Sequence, residues 1–179
     1  MEQRRPPIGI YYAIAAFVFV LDYVTKKIIA RNIDLNTEQI NVIGDFFLIA
    51  HIRNRGAAFG ILEGQRWFFV LITIVVVSVI AWYLHRSYRN GRVLMLVALG
   101  MILGGALGNF LDRSIYGEVV DFLQFNFGSY TFPLFNVADC GIVCGVALII
   151  LDTLLTPKQE NESNDNGEQS RDRGEQTTV

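Results

Sequence analysis

Six polar residues, Asp22, Asn109, Asp112, Asp121, Asn136 and Asp139, stand within or beside the ends of long apolar runs. Carboxylates at membrane depth carry a solvation cost, so they face a bundle interior, a cavity or a partner and mark a candidate functional site. Two aspartates that approach one another in a partly desolvated pocket do not both ionise easily, and one keeps a proton near neutral pH. The ionised member can take a proton from water while the neutral member protonates a carbonyl. That is the acid and base set for peptide hydrolysis without a covalent intermediate. Residue types alone leave open which two aspartates pair.

Simpler roles compete at each position. An aspartate at a helix start, such as Asp139, is commonly an N-cap. Asp112 is followed by Arg113, as in an interfacial ion pair, and Asp22 stands four residues before Lys26, the spacing of a local salt bridge. Asp34, Asp45 and Glu63 are expected to be solvated.

The elements that must carry these residues are legible in the composition. The chain has 179 residues, 52% of them hydrophobic and 18% charged, which is too apolar for an ordinary soluble domain and points to a bilayer. A helix needs roughly 20 residues to cross ~30 Å of hydrocarbon. Four runs approach that length: about Ile8 to Val24, Trp67 to Leu84, Val93 to Leu111 and Leu134 to Leu155. Arg4 and Arg5 before the first run resemble the start of a secretory signal, but DYVTKK follows it instead of a small-residue cleavage site, so an uncleaved span is expected. The expected fold is an all-α membrane bundle of four transmembrane helices with a small extracytoplasmic β-sheet, over residues 1–156. The remainder, 157–179, is polar apart from Val179 and cannot bury enough surface to offset its ordering entropy, as in a disordered cytoplasmic tail.

Four spans place both termini on one side, and an up-down-up-down chain puts all six polar residues on the opposite face. Arg4, Arg5 and the short link carrying Arg86, Arg89 and Arg92 favour a cytoplasmic location for the termini. The link from Lys26 to Arg66 carries six basic residues, Lys26, Lys27, Arg31, Arg53, Arg55 and Arg66, against the simple charge rule. A connection of that length can fold and use its charges locally. Val42–Ile52 (VIGDFFLIAHI) is β-branched and aromatic, and Val119–Phe127 (VVDFLQFNF) partly alternates, so interfacial β segments are expected within about 40–66 and 117–132.

Helical spacing refines the third span. Gly100, Gly104 and Gly108 recur every four residues as a small-residue packing ridge. Gly105, Asn109 and Asp112 share the neighbouring face. In the fourth, Asn136 and Asp139 are i, i+3 neighbours, with Ala138, Gly141 and Gly145 as small packing residues.

Other chemistries lack their residues. Cys140 and Cys144, one turn apart, are too few for a soft-metal site and poorly placed for a disulfide, so small apolar packing is expected, with Cys140 lining any site beside Asp139. His51 and His85 are far apart in the chain, and no metal or cofactor is expected. Ser78 is placed to bond back to its own helix. There is no P-loop, dinucleotide glycine pattern or nucleic-acid patch.

Five blocks, LDYVTK (Leu21–Lys26), NRGAAFG (Asn54–Gly60), GGALGNFLDR (Gly104–Arg113), GEVVDF (Gly117–Phe122) and FNVADC (Phe135–Cys140), resemble in order and spacing the signature blocks of bacterial lipoprotein signal peptidase, signal peptidase II. The resemblance runs from the first span to Leu155. It implies an aspartyl endopeptidase of the bacterial inner membrane that cuts the signal peptide from prolipoproteins just before a diacylglyceryl-modified cysteine. It maps the catalytic pair to Asp121 and Asp139. Supporting positions map to Asp22, Lys26, Asn54, Gly56, Gly105, Asn109, Asp112, Arg113 and Asn136. Of these, Asn54 and Arg113 are expected to contact substrate backbone or lipid, and Asn109, Asp112 and Asn136 to orient the pair. Tyr23, Cys140 and Gly141 depart from the usual residues of these blocks. The expected partners are diacylglyceryl-prolipoprotein signal peptides and membrane lipid, acting on a monomer with no nucleic acid.

Two readings from other classes remain at this level. A small proton-coupled transporter would carry acids nearer mid-membrane and often broken or repeated helices. A lipid-binding scaffold would be indifferent to Asp121→Asn and Asp139→Asn.

Overall fold

The computed structural model describes residues 6–56 and 61–155. Arg4, Arg5, the tail and Ala57 to Gly60 of NRGAAFG lie outside the described residues. In chain order the elements are α1 (Ile8–Asn32), β1 (Gln39–Ile43), β2 (Phe47–Asn54), α2 (Arg66–Ser87), α3 (Val93–Ile115), β3 (Val119–Phe127), β4 (Tyr130–Thr131) and α4 (Val137–Leu154). All four helices are long and apolar enough to cross a membrane.

Two helix boundaries differ from the apolar runs. Helix α1 continues eight residues past Val24 to Asn32. Its extra turns are amphipathic: Lys26 turns inward onto Asp22 at 2.7 Å, and Ile28 and Arg31 face outward. Helix α4 starts at Val137 rather than Leu134. Leu134 and Phe135 follow Pro133 in an extended segment, and Phe135 exchanges backbone hydrogen bonds with Leu123 of β3.

Helix α3 is the axis of the bundle. Eleven of its 23 residues are buried, against two of 22 in α2, so α2 is the peripheral member. The glycines of α3 make this possible. A Cβ at Gly100 or Gly104 would run into the Tyr11 or Ala15 carbonyl of α1, and one at Gly108 into the Asp22 carboxylate. On the adjacent face, a Cβ at Gly105 would strike the Ala138 carbonyl of α4. The two stripes read from spacing therefore serve two different neighbours, α1 and α4.

The strands form one antiparallel sheet in the order β1-β2-β3-β4. VIGDFFLIAHI is not a single strand. It breaks at Gly44, whose φ of +48° suits the tight reversal that an L side chain resists, and β1 returns as β2. Strand β3 matches the expected span, Val119–Phe127. Between β2 and β3 the pairing shifts from Ile49↔Leu123 to Ile52↔Asp121, which inserts one extra residue into β2. A one-residue shift moves the following side chains to the other face. The bulge thus pairs Asn54 with Val119 and sets its side chain on the face that carries Asp121.

Candidate active site

A cavity of about 500 Å³ lies where β3, the Phe132–Phe135 segment and the polar ends of α3 and α4 meet. Asn54, Asn109, Arg113, Asp121, Asn136 and Asp139 line it. Asp121 enters from a strand and Asp139 from the first turn of a helix, which explains why no single sequence spacing links them.

Each carboxylate is held by amides. Asp121 accepts from Asn54 Nδ2 through Oδ2 (2.9 Å) and from Asn136 Nδ2 through Oδ1 (2.7 Å). Asp139 accepts from Asn109 Nδ2 through Oδ1 (2.8 Å) and from the Asn136 backbone N–H through Oδ2 (3.2 Å). Asn136, fully buried, is the hinge of the set. Its Oδ1 caps α4 by accepting from the Asp139 N–H at 3.0 Å, and its Nδ2 also donates to Asn109 Oδ1 at 3.2 Å. Asp139 is therefore not the N-cap itself. It is the third helical residue of a capping box whose cap is Asn136, and its carboxylate caps the helix and lines the cavity at once.

Behind this layer lies a buried ionic triad. Lys26 Nζ sits 2.7 Å from Asp22 and 2.9 Å from Asp112 and donates to Asn109 Oδ1 at 2.9 Å. An ammonium has only donors, so Asn109 must turn its oxygen to Lys26 and its NH₂ to Asp139. Asp22 also accepts the Ala138 N–H at 2.8 Å, joining α1 to the first turn of α4. The Asp22–Lys26 pair expected from i, i+4 spacing forms. The Asp112–Arg113 pair does not, because successive helical residues point apart: Asp112 turns to Lys26. Arg113 lies over the Phe69 ring (4.8 Å) and donates to the Gly56 carbonyl at 3.2 Å. Gly56 in turn donates its N–H to Asn54 Oδ1 at 2.9 Å, orienting that amide toward Asp121.

Burial pushes the Asp121 carboxyl up to about 6; the Asn54 hydrogen bond pulls the other way, and the Asp139 charge adds to the rise. Asp121 is 3% exposed, whereas Asp139 is half-buried at the cavity edge.

The walls were largely invisible in the sequence. Phe132, Pro133, Leu134, Phe135 and Val143 make the cavity mostly apolar, and their only local signal is the Pro133 break before α4. Cys140 lines the site as expected, but Cys144 lines it too and is exposed rather than packed. Ser78 Oγ donates to the Ile74 carbonyl of its own helix at 2.7 Å, and His51 is engaged structurally, its Nδ1 2.8 Å from the Ile33 carbonyl.

The chain is similar to known proteins over most of its length. A relative described as lipoprotein signal peptidase, from Bacillus pumilus (strain SAFR-032), is 46% identical over 153 residues, covering 86% of this chain and 97% of its own. Two solved structures, each described as a bacterial membrane enzyme obtained by the in meso method, are 40% identical over 88% of this chain. The one at 2.3 Å resolution superposes with a TM-score of 0.79 over 95% of its length, and the one at 1.9 Å with 0.76 over its full length. The family described as signal peptidase (SPase) II matches residues 14–155, which include every polar residue of the site. With the cavity, the amide-held carboxylates, three whole helices and most of α1 inside that match, the chain belongs to the signal peptidase II family of aspartic peptidases.

Proposed function

We propose that Asp121 and Asp139 are the catalytic dyad with which this chain cuts diacylglyceryl-modified prolipoproteins before the lipidated cysteine. The observation that carries the assignment is that these two carboxylates share one cavity and are held by neutral amides, while the other buried aspartates of the cluster share the Lys26 ammonium. Asp121, the more buried, holds the shared proton. Asp139 takes a proton from water, the hydroxide attacks the scissile carbonyl, and Asp121 gives its proton to the carbonyl oxygen, leaving a tetrahedral diol. On collapse the diol returns a proton to Asp121, Asp139 protonates the leaving amine, and the C–N bond breaks. Orientation of the substrate and exclusion of bulk water supply much of the rate.

Arg113 and Asn54 stand where they can hold the substrate backbone, and the apolar wall from Phe132 to Val143 suits signal-peptide side chains and acyl groups. The catalytic face is extracytoplasmic and both termini are cytoplasmic; the basic link Arg86–Arg92 at the opposite end of the bundle supports this. The sheet lies on that same outer face.

The test is cleavage of a diacylglyceryl-modified model prolipoprotein by purified protein in detergent, with Asp121→Asn and Asp139→Asn alongside. Loss of cutting in each folded variant supports the dyad. Normal cutting by either variant overturns the assignment, and failure of wild type on a fully modified substrate overturns the activity.

A further inference from the structure

The six basic residues between Lys26 and Arg66 divide into two groups. Four have partners that explain them. Lys26 is buried between Asp22 and Asp112, Arg53 and Arg55 both bind Glu118 (2.6 and 3.2 Å), and Arg66 donates to the Ser114 carbonyl while stacking on Trp67. Lys27 and Arg31 are left over. Among the described residues neither makes an ion pair. Lys27 Nζ donates to the Tyr116 hydroxyl at 3.0 Å and lies over the rings of Tyr23 and Tyr116 at 5.4 and 5.0 Å. This accounting holds whichever way the chain is inserted.

Their position is specific. Tyr23, Lys27 and Arg31 follow i, i+4, i+8 and form one stripe of α1, bordered by an exposed apolar stripe of Val20, Val24 and Ile28. Helix α1 has 25 residues. At 1.5 Å per residue that is roughly 37 Å, longer than the ~30 Å hydrocarbon layer, so its final turns reach headgroup level. Two adjoining recesses share Tyr23 and Lys27, one of about 460 Å³ reaching Arg31 and one of about 90 Å³ reaching Tyr116. The acids bordering the smaller recess, Asp112 and Glu118, are engaged by Lys26 and by Arg53 and Arg55, three cations that match in number the carboxylates of Asp22, Asp112 and Glu118. The site lies behind the catalytic cavity: Val119 and Asp121 of β3 face the cavity, whereas Glu118 and Val120 line the recess.

We propose that Lys27 and Arg31, with the Tyr23 and Tyr116 shelf, bind the phosphate of an anionic glycerophospholipid in the leaflet that holds the catalytic cavity. An acyl chain of that lipid runs along Val24 and Ile28. Two cations that make no ion pair complement a phosphodiester, the tyrosines hold the ammonium at its level, and the neighbouring apolar stripe accepts the chain.

The test uses the full-length protein in nanodiscs of equal phosphatidylglycerol and phosphatidylcholine, with retained lipid read by native mass spectrometry beside Lys27→Gln/Arg31→Gln. Wild type is expected to retain phosphatidylglycerol preferentially, and the double variant to lose that preference by roughly thirtyfold, at about one headgroup contact per cation. A photoactivatable phosphatidylglycerol on wild-type protein is expected to label residues 23–32, which tests the site without any substitution. Equal retention by the double variant, or label confined to other segments, overturns the proposal. Displacement of the lipid by soluble glycerol phosphate overturns it in favour of a soluble-anion site.

Discussion

Asp121 and Asp139 differ from Asp22 and Asp112 less in burial than in what partners them. Asp22 and Asp112 close on one ammonium, which both carboxylates share as a counter-charge. Asp121 and Asp139 receive hydrogen bonds from asparagine side chains and backbone, which fix their direction without supplying a counter-charge. A nearby cation favours the ionised form of a buried carboxylate. One paired with an amide stays free to gain and lose a proton, which acid–base chemistry requires. Lys26 belongs to both groups, since it bridges Asp22 and Asp112 and also turns the Asn109 amide toward Asp139.

The largest expected effect comes from removing the proton-carrying groups. Asp139→Asn is expected to lower kcat by about a thousandfold or more, within the range of lost acid–base catalysis, while the melting temperature in detergent moves little. Cutting at near wild-type rate would erase the distinction between the two aspartate pairs. Lys26→Met is expected to act through the fold, leaving two buried carboxylates without their cation at a cost of about 3 to 5 kcal/mol. Adding Asp22→Asn and Asp112→Asn to it is expected to recover most of the thermal stability but not the activity, since Asn109 would still lack its orienting donor. If the triple variant also recovered activity, the Lys26–Asn109 link would carry no catalytic weight.

A mid-sized effect is expected at the α3–α4 contact. Gly105→Ala drives a methyl into the Ala138 carbonyl, and separating the helices is expected to cost about 1 to 3 kcal/mol and displace Asp139 from Asn109. Thermal unfolding and kcat measured together would show both. The pH profile sharpens the comparison further. Because the proposed role of Asp121 requires its protonated form, and burial pushes that carboxyl up to about 6, kcat/KM is expected to fall as pH rises beyond that value. Asn54→Leu removes a hydrogen bond that favours the ionised form, so the alkaline limb is expected to move upward by less than about one unit. A downward move would reverse the assigned roles. The smallest effect belongs to the rim, where Arg55, 66% exposed, pairs with Glu118. Arg55→Gln is expected to change stability by less than about 0.5 kcal/mol.

Much of this was legible in the residues. Apolar length marked four spans, i, i+4 spacing found the glycine ridge and the Asp22–Lys26 pair, and up-down topology placed the polar residues on one face. These signals are local, so a linear reading captures them. The Asp112–Arg113 pairing failed because sequence adjacency does not mean facing side chains in a helix. Asp139 as cap failed because Asn136, three residues earlier, fills that place and turns Asp139 into its reciprocal partner.

Sequence by itself determined that four runs are long and apolar enough to span a membrane and that Asp22, Asp112, Asp121 and Asp139 gather at one end, because hydropathy and helical period are properties of consecutive residues. Tertiary structure decided which aspartates meet across one cavity, that a bulge in β2 turns Asn54 toward Asp121, and that Lys26 reaches an asparagine 83 positions away. Those outcomes depend on how closely α3 approaches α1 and α4 and on strand register, neither of which any single segment carries alone.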